Sequence, residues 1–551
     1  MRAQILIRKL LTPSHFATIG FLLGAPLCAH LLFSWMGFNP TDDGFTLAYS
    51  RRILENQVPH RDFIIIRPFL SPLMHTPVVL LGGDFTFWIS RGFVWFQMAV
   101  IAWSWTWLIN QYFQVRWSEI EKSAIAVMIF ATSAHSFPIM AWHTIDGLFL
   151  ASIGLVISRT ATPRLKFIGY VIVASAYLCK QSFVLLAPLL VLALGDSRKI
   201  QVWFAVTLPG VVYIGYLFVT GALPDALVQL TSQTGITSAG LSSYLVNPAV
   251  YIGAVVGYLG VRLAFGSRLV LVTSRKMQTW LALALLGFVP TLLVVISLAT
   301  NRYLREGFAL FGMMLGIFIY WVKEKNARSN LPAILTCLVL LTAWSVSLSI
   351  GYNLPILAAG QMLAIGMAWV SVICQNIGAQ WRQPGLLIAA VLIASSFGIG
   401  RTEYIYRDQR AKNLTHELEM VLPGGKWIKT NPNTRAFLDD LNQAIAQFRQ
   451  DGKMYAILPD AAGYWVQSSQ INPLPIDWAQ DTELNNPNLV SRAIGALDSK
   501  RGKIVIVAQK VHAATLADGF TPIPEDFYPT LVYVRARFTK IGETRFFEIY
   551  Q

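Results

Sequence analysis

Two adjoining segments decide the fold: FATIGFLLGAPLCAHLLFSWMGF (residues 16–38) and the loop that follows, NPTDDGFTLAYSRRILENQVPHRDF (residues 39–63). The first segment is apolar over about the 20 residues that a membrane-spanning helix needs. It follows the basic residues Arg2, Arg8 and Lys9, as a secretory signal would, but no small-x-small cleavage site precedes the loop. We therefore interpret it as an uncleaved signal anchor.

The composition excludes an ordinary soluble enzyme. Of the 551 residues, 54% are hydrophobic and 13% are charged, against about 25% charged in a typical globular protein. The net charge of +15 does not indicate a nucleic-acid partner, because the basic residues lie in short gaps between apolar blocks and not in clusters with aromatic residues. The four cysteines lie in or beside apolar spans without CxxC spacing, so neither disulfides nor zinc is expected.

Beyond the first segment the apolar blocks continue at regular intervals. We predict about thirteen membrane spans. They lie near residues 16–38, 86–110, 122–138, 143–158, 165–179, 183–195, 201–219, 249–265, 280–299, 307–322, 331–350, 355–373 and 385–400.

Lysine and arginine are distributed unevenly between the two sets of gaps. With the N-terminus inside, the inner gaps hold most of them, and the short outer gaps hold only Lys180, Arg302 and Arg305. By the positive-inside rule this fixes the orientation, and an odd number of spans places the C-terminal tail outside. The sequence thus predicts a polytopic α-helical membrane protein with a transmembrane domain over 1–400, a long first outer loop over 38–85 and an extracytoplasmic α/β domain over 401–551.

The tail has a globular composition and its own periodicities. We predict helices over 434–450 and 489–497 and strands over 454–458, 503–508, 531–538 and 544–550.

The first outer loop concentrates the charge of the membrane half. Asp42 and Asp43 follow the first span directly, and Arg61 and Arg67 come later in the loop. The segment 44–55 has helical periodicity, and we expect it to lie along the membrane surface with both acids near the interface. A carboxylate placed there can accept a proton from a hydroxyl, while arginines stabilise a leaving phosphate. The alternative is that Asp42 caps this helix and the arginines contact anionic headgroups.

Further ionisable residues face the same side. Asp146 enters the fourth span, where a charge costs about 2.5 to 3.5 kcal/mol at mid-helix and less near the end, which indicates a function; the alternative is a helix cap. For the neighbouring His135 and His143 we favour interfacial packing. The outward cations Lys180, Arg302 and Arg305 suit an anionic ligand, or alternatively snorkel to lipid phosphates.

These residues resemble a known family. The Asp-Asp-Gly of residues 42–44 and the Pro-His-Arg-Asp-Phe of residues 59–63 are similar to the first outer loop of GT-C membrane glycosyltransferases, which include the protein O-mannosyltransferases and the lipid A aminoarabinose transferase. In the tail, ILPDAAGYWVQSSQINPLPIDW (457–478) resembles a strand and loop of their C-terminal domains. Asn56-Gln57 and His60 depart from the pattern, which has Gly-x and Tyr there, and these departures concern specificity more than chemistry.

The resemblance implies an inverting glycosyl transfer. An acceptor hydroxyl on a glycan, lipid or protein attacks the anomeric carbon of a sugar carried on polyprenyl phosphate, at the outer face of what we expect to be a bacterial inner membrane. Asp42 matches the first acid of the family pair and implies the base, Asp43 matches the second, and Asp146 matches the acid of the second outer loop. This chemistry requires cations that bind the phosphate. The candidates are Arg61, Arg67, Lys180, Arg302 and Arg305. Some relatives also hold a divalent cation between acids, for which carboxylate oxygens suit Mg²⁺ or Mn²⁺.

The main competing hypothesis is a transporter or flippase of lipid-linked or envelope substrates. Such proteins tend to place ionisable residues near the bilayer midplane in related halves, whereas the charges here cluster at the outer boundary. A lipid-linked polymerase or ligase is a further alternative, but the first-loop acids favour the transferase. A membrane-anchored receptor is another, but an anchor does not require so many spans.

Overall fold

The described part of the chain up to residue 403 is mainly helical. The computed structural model describes residues 13–134, 139–233, 235–266, 274–300, 305–324, 331–348, 354–377 and 379–551. The α-helices of this part are α1 Pro13–Phe33, α2 Phe45–Leu54, α3 Leu70–Gly82, α4 Thr86–Phe113, α5 Glu119–Ala134, α6 His143–Ser158, α7 Pro163–Ser175, α8 Leu186–Ala193, α9 Ile200–Val219, α10 Leu223–Leu230, α11 Ile236–Leu245, α12 Pro248–Phe265, α13 Arg275–Leu283, α14 Val289–Thr300, α15 Arg305–Glu324, α16 Leu331–Ser347, α17 Ala359–Ile377 and α18 Arg382–Glu403.

Each predicted span overlaps a helix, and a π-helical turn, Ala284–Phe288, joins α13 to α14. Among the described residues, seven helical stretches are long and apolar enough to cross a membrane. They are Phe16–Phe33, Leu70–Phe113, Ile200–Val219, Pro248–Phe265, Arg275–Thr300, Ile356–Gln375 and Arg382–Glu403. The predicted total of thirteen crossings and the predicted orientation stay predictions.

Glycines bring two of these helices into backbone contact. A Cβ atom at Gly253 or Gly257 of α12 would lie 2.1 Å from a carbonyl oxygen of α15. A Cβ at Gly312 or Gly316 of α15 would lie 2.0 or 1.9 Å from a carbonyl oxygen of α12. Both helices thus use a small-xxx-small pattern, which allows close packing where lipid offers no hydrophobic driving force.

The tail is an α/β region, as predicted. Its helices are α19 Pro432–Gln450, α20 Ala462–Trp465, α21 Pro487–Ser499 and α22 Pro529–Arg537. Its strands are β1 His416–Glu417, β2 Lys429–Thr430, β3 Met454–Leu458, β4 Ile504–Gln509, β5 Lys540–Glu543 and β6 Phe547–Tyr550. The four-stranded sheet has the order β3-β4-β6-β5, with β3 and β4 parallel and the other neighbours antiparallel.

One predicted strand of the tail is wrong. Residues 531–537 of this segment belong to helix α22, and Phe538 is its C-cap residue. Pro529 begins this helix, where its fixed φ is favourable and its missing N–H is not needed. Leu531 and Val534 are buried. Their spacing of three residues is that of one face of a helix, not the spacing of two residues expected for a strand. The polar strand β5 was not predicted, because it lies exposed at the sheet edge.

The first loop is packed under the tail. Helix α2 is confirmed, and most of its residues are buried within the protein. Its expected position along the membrane surface stays a prediction. Phe45 and Tyr49 share one hydrophobic core with tail residues such as Tyr455. A Cβ at Gly44 would lie 2.2 Å from the Cα of Gly463, so loop and tail meet backbone to backbone beside the two acids. The predicted domain boundary near residue 401 stays a prediction.

Candidate functional site

Asp43 is held in a clamp of fixed groups. Its Oδ1 accepts a bond from Arg91 Nη2 at 2.9 Å, and its Oδ2 accepts one from the Asn39 N–H at 2.8 Å. Arg91 also donates to the carbonyls of Ser34, Met36 and Gly37. The carboxylate therefore ties the start of the first loop to α4.

Asp42 has a different environment. Its Oδ2 accepts a hydrogen bond from the Tyr406 hydroxyl at 2.8 Å and pairs with Arg407 Nη1 at 2.8 Å. The Thr41 hydroxyl donates to Oδ1 at 3.1 Å. Burial raises the pKa of Asp42, although Arg407 and the two hydroxyls act in the opposite direction. Neither acid caps α2, since Gly44 is its N-cap residue and no side chain caps it.

A third acid, from the tail, lies beside Asp42. Asp460 follows strand β3, is buried, and accepts a hydrogen bond from the Gln480 amide. Burial raises its pKa to about 7, and the charge of Asp42 contributes in the same direction. Asp460 lies in the ILPD segment (457–460), but the sequence did not predict it as a site residue. We call Asp42, Asp460, Tyr406 and Arg407 the acid cluster.

Asp146 is fully buried near the start of α6. Its carboxylate accepts hydrogen bonds from Ser71 Oγ at 2.5 Å and Gln97 Nε2 at 2.7 Å, and it contacts His75 Nε2 at 3.1 Å. These partners come from α3 and α4, so Asp146 joins three helices. It is not the helix cap considered as an alternative, because Trp142 occupies the N-cap position and no side chain caps α6.

Two of the predicted phosphate ligands come together. Arg67 Nη1 pairs with the tail carboxylate Glu483 at 2.6 Å, and both side chains are buried. Lys180 is also buried, and its Nζ donates to the Val346 carbonyl at 3.3 Å. Burial, together with the charge of Arg67, lowers the pKa of Lys180 to about 7.

His143 lies within the electrostatic reach of both cations. It is buried, and neither ring nitrogen has a partner among the described residues. From the sequence we expected interfacial packing for His143, because no pattern distinguished it from His135. His135 lies outside the described residues. We call Arg67, Lys180, Glu483 and His143 the cation cluster.

The other predicted phosphate ligands are not part of this cluster. Arg61 pairs with Asp62 at 2.8 Å and donates to the Thr220 carbonyl, with its side chain 46% exposed. Arg302 lies outside the described residues, and the side chain of Arg305 is likewise outside them.

The two clusters are joined by a short chain of contacts. Asp460 forms a β-bridge with Trp478. The Trp478 ring stacks on Phe45, with centroids 5.0 Å apart, and Phe45 contacts His143 edge-on at 6.0 Å. Phe45 lies three residues after Asp42 in the chain, so the acid and cation clusters lie near the same end of α2.

The residues present do not fit a divalent cation. Within the described ranges, no three His, Cys, Asp or Glu side chains are grouped so that they could hold a metal ion. Asp42 Oδ2 is bonded to Arg407 and Tyr406, which leaves little room for a second cation. We derive no step through Mg²⁺ or Mn²⁺.

No protein-family model and no curated protein matches the chain. Among solved structures, the chain is similar to the crystal structure of ArnT from Cupriavidus metallidurans bound to undecaprenyl phosphate. The two are 11% identical with a TM-score of 0.46, over 97% of this chain and 98% of that chain.

Proposed function

We propose that this protein is an inverting glycosyltransferase that moves a sugar from a polyprenyl-phosphate donor to an acceptor hydroxyl at the outer face of the membrane. Asp42 is the base. Arg67 and Lys180 bind the donor phosphate, and Asp43 and Asp146 position the loop and helices around the site. The proposed setting is a bacterial inner membrane, with about thirteen crossings and the tail outside.

The observation that carries the proposal is the charge of the cation cluster. Two buried cations, Arg67 and Lys180, have one carboxylate between them, since Lys180 forms no ion pair with a described residue. A buried charge without a counterion is strongly destabilising. The cluster is therefore suited to bind an anion, and the adjoining apolar helices suit the lipid chain of a polyprenyl phosphate.

The acid cluster supplies the second half of the reaction. A raised pKa makes the Asp42 carboxylate a better proton acceptor than an exposed aspartate. The acceptor oxygen forms a bond to the anomeric carbon while the bond from that carbon to the phosphate oxygen breaks. The hydroxyl proton passes to Asp42, and the phosphate leaves with the electron pair, stabilised by Arg67 and Lys180.

The test is a mass-spectrometric comparison of lipid-linked sugars and envelope glycans in cells with the wild-type protein, without it, and with Asp42→Asn. This substitution removes the proton acceptor with little change of shape. Loss of a base typically reduces rates by about 10² to 10⁴-fold, so we expect the variant to lack one glycan sugar and accumulate its donor, as the deletion does.

Asp62→Asn is the matched control, because Asp62 is an acid of the same loop that pairs with Arg61 at the surface. It should restore the glycan fully. Unchanged glycans in the deletion strain, or full restoration by Asp42→Asn at equal expression, would contradict the proposal and favour a transporter.

A further inference from the structure

Three buried side chains near the cation cluster carry polar atoms without a partner among the described residues. These atoms are the two ring nitrogens of His143, the hydroxyl of Tyr49 and the indole Nε1 of Trp478. The three residues are 4%, 1% and 8% exposed. A buried polar atom that lacks a hydrogen bond destabilises a protein, so each such atom in a folded chain requires an explanation.

The three side chains border one face of α2. Phe45 stacks on Trp478 at an interplanar angle of 20° and contacts His143 edge-on. Tyr49 lies four residues after Phe45, which places it on the same helix face. The charges of Glu483 and Arg67 reach Tyr49, so this face also borders the cation cluster.

We propose that His143, Tyr49 and Trp478 bind the sugar ring of the lipid-linked donor, an assignment that rests on the proposed function. Imidazole, phenol and indole groups together offer both donors and acceptors, which is the combination that sugar hydroxyls require. The stacked rings of Phe45 and Trp478 offer an apolar face of the kind that binding pockets use beside a few placed polar groups.

The position also specifies the ligand. His143 contacts Phe45 edge-on and lies within the electrostatic reach of Arg67 and Lys180, so a phosphate bound by those cations places its sugar near this face of α2.

Two conservative substitutions test the assignment in the full-length protein in lipid nanodiscs. Tyr49→Phe removes only the unpartnered hydroxyl, and Trp478→Phe removes the unpartnered indole N–H but also replaces the indole by a smaller aromatic ring. The probes are undecaprenyl phosphate and undecaprenyl phosphates that carry glucose, mannose, galactose or arabinose. We expect at least one sugar-bearing lipid to bind the wild type more tightly than the bare lipid does. Each variant should then bind that lipid about 3- to 10-fold more weakly and bind undecaprenyl phosphate unchanged.

The thermal midpoint of the unliganded protein distinguishes a role in ligand binding from a role in the fold. Removal of the unpartnered Tyr49 hydroxyl leaves the unliganded protein as stable as before or more stable, whereas the smaller ring of Trp478→Phe lowers the thermal midpoint. Trp465→Phe is the matched control, since the Trp465 Nε1 is also buried and unpartnered among the described residues, but its ring packs on Tyr455 in the tail. This control should bind every probe as the wild type does.

Several results would overturn the assignment. Unchanged affinity of Tyr49→Phe and Trp478→Phe for the preferred lipid would do so, as would an equal loss for the bare lipid, or no preference of the wild type for any sugar-bearing lipid. Failure of the proposed function looks different. In that case the wild type would not bind undecaprenyl phosphate at all, or would bind it independently of Lys180.

Discussion

The acid cluster and the cation cluster lie near the same end of a buried helix, yet they carry opposite excess charge. Asp42 and Asp460 are both influenced by one guanidinium, that of Arg407. Arg67 has Glu483 as its counterion, whereas Lys180 donates only to a carbonyl among the described residues. The first cluster therefore favours the uptake of a proton, and the second favours the binding of an anion.

The same physical cause acts in both places. Burial raises the pKa of Asp460 to about 7 and lowers that of Lys180 to about 7, because a low-dielectric environment favours the neutral form of either group. A hydroxyl proton from the substrate neutralises a carboxylate of the acid cluster. A bound phosphate favours the charged form of Lys180 in the cation cluster. The comparison thus predicts that the two clusters control different kinetic constants.

Removing the unpaired cation should have the largest effect on donor binding. Lys180→Met keeps the length of the side chain, removes its charge and breaks no ion pair with a described residue. Hydrogen bonds to charged groups contribute about 1.5 to 3 kcal/mol, so we expect KM for the donor to rise about 10- to 100-fold with a smaller change in kcat. Steady-state kinetics with purified protein measure both constants.

Lys122→Met is the control. Lys122 pairs with Glu119 and does not belong to the cation cluster, so this substitution should change neither constant. An unchanged KM in Lys180→Met, or a fall in kcat alone, would mean that the cation cluster does not hold the donor.

The pH dependence of donor binding should be the next largest effect. The pKa of Lys180 is about 7 in the folded protein, against about 10.4 in an unfolded chain. The unfolded state binds more protons between these values, so the destabilisation caused by this lysine is greatest below pH 7 and is lost as the pH rises. A bound phosphate favours the charged amine, so affinity should weaken above pH 7, by up to about tenfold per pH unit.

Lys180→Arg separates this titration from other causes. A guanidinium stays charged throughout, so the affinity of the variant for a sugar-bearing undecaprenyl phosphate should be flat from pH 6 to 9. A flat profile for the wild type would show that Lys180 does not titrate in the donor site.

Much of this arrangement follows from local sequence, and the rest depends on the tail. Apolar segments of the right length predicted the helices, and Asp146 stood out because a charge is costly in such a segment. Asp42 and Arg67 were predicted as charges of the first outer loop, and Lys180 as a cation in an outer gap. The partners of these residues could not be predicted, because Glu483 lies 416 positions from Arg67 and no local pattern records such a contact.

The features that the sequence did not predict have the same origin. The tail covers α2, and amphipathic periodicity does not say what covers an apolar face. Arg61 and Arg67 looked alike in the sequence, but Arg61 pairs with the adjacent Asp62 at the surface while Arg67 is buried. Asp460 and His143 were missed as site residues because their importance comes from neighbours supplied by distant segments.

The smallest expected effect concerns the acid that the tail contributes. The charge of Asp42 raises the pKa of Asp460, and coupling between two charged groups acts on both of them. Asp460→Asn removes one negative charge, so it should lower the pKa of Asp42 and shift the acid limb of the rate profile to lower pH. A less basic Asp42 is also a weaker proton acceptor, so the maximal rate should fall about 2- to 5-fold, with KM for the donor unchanged. Asp439→Asn, at an exposed acid of α19 that pairs with Arg435, should leave the profile in place. A reduced rate in Asp460→Asn without movement of the acid limb would indicate that Asp460 only supports the fold, and the negative excess of the acid cluster would then have no part in the chemistry.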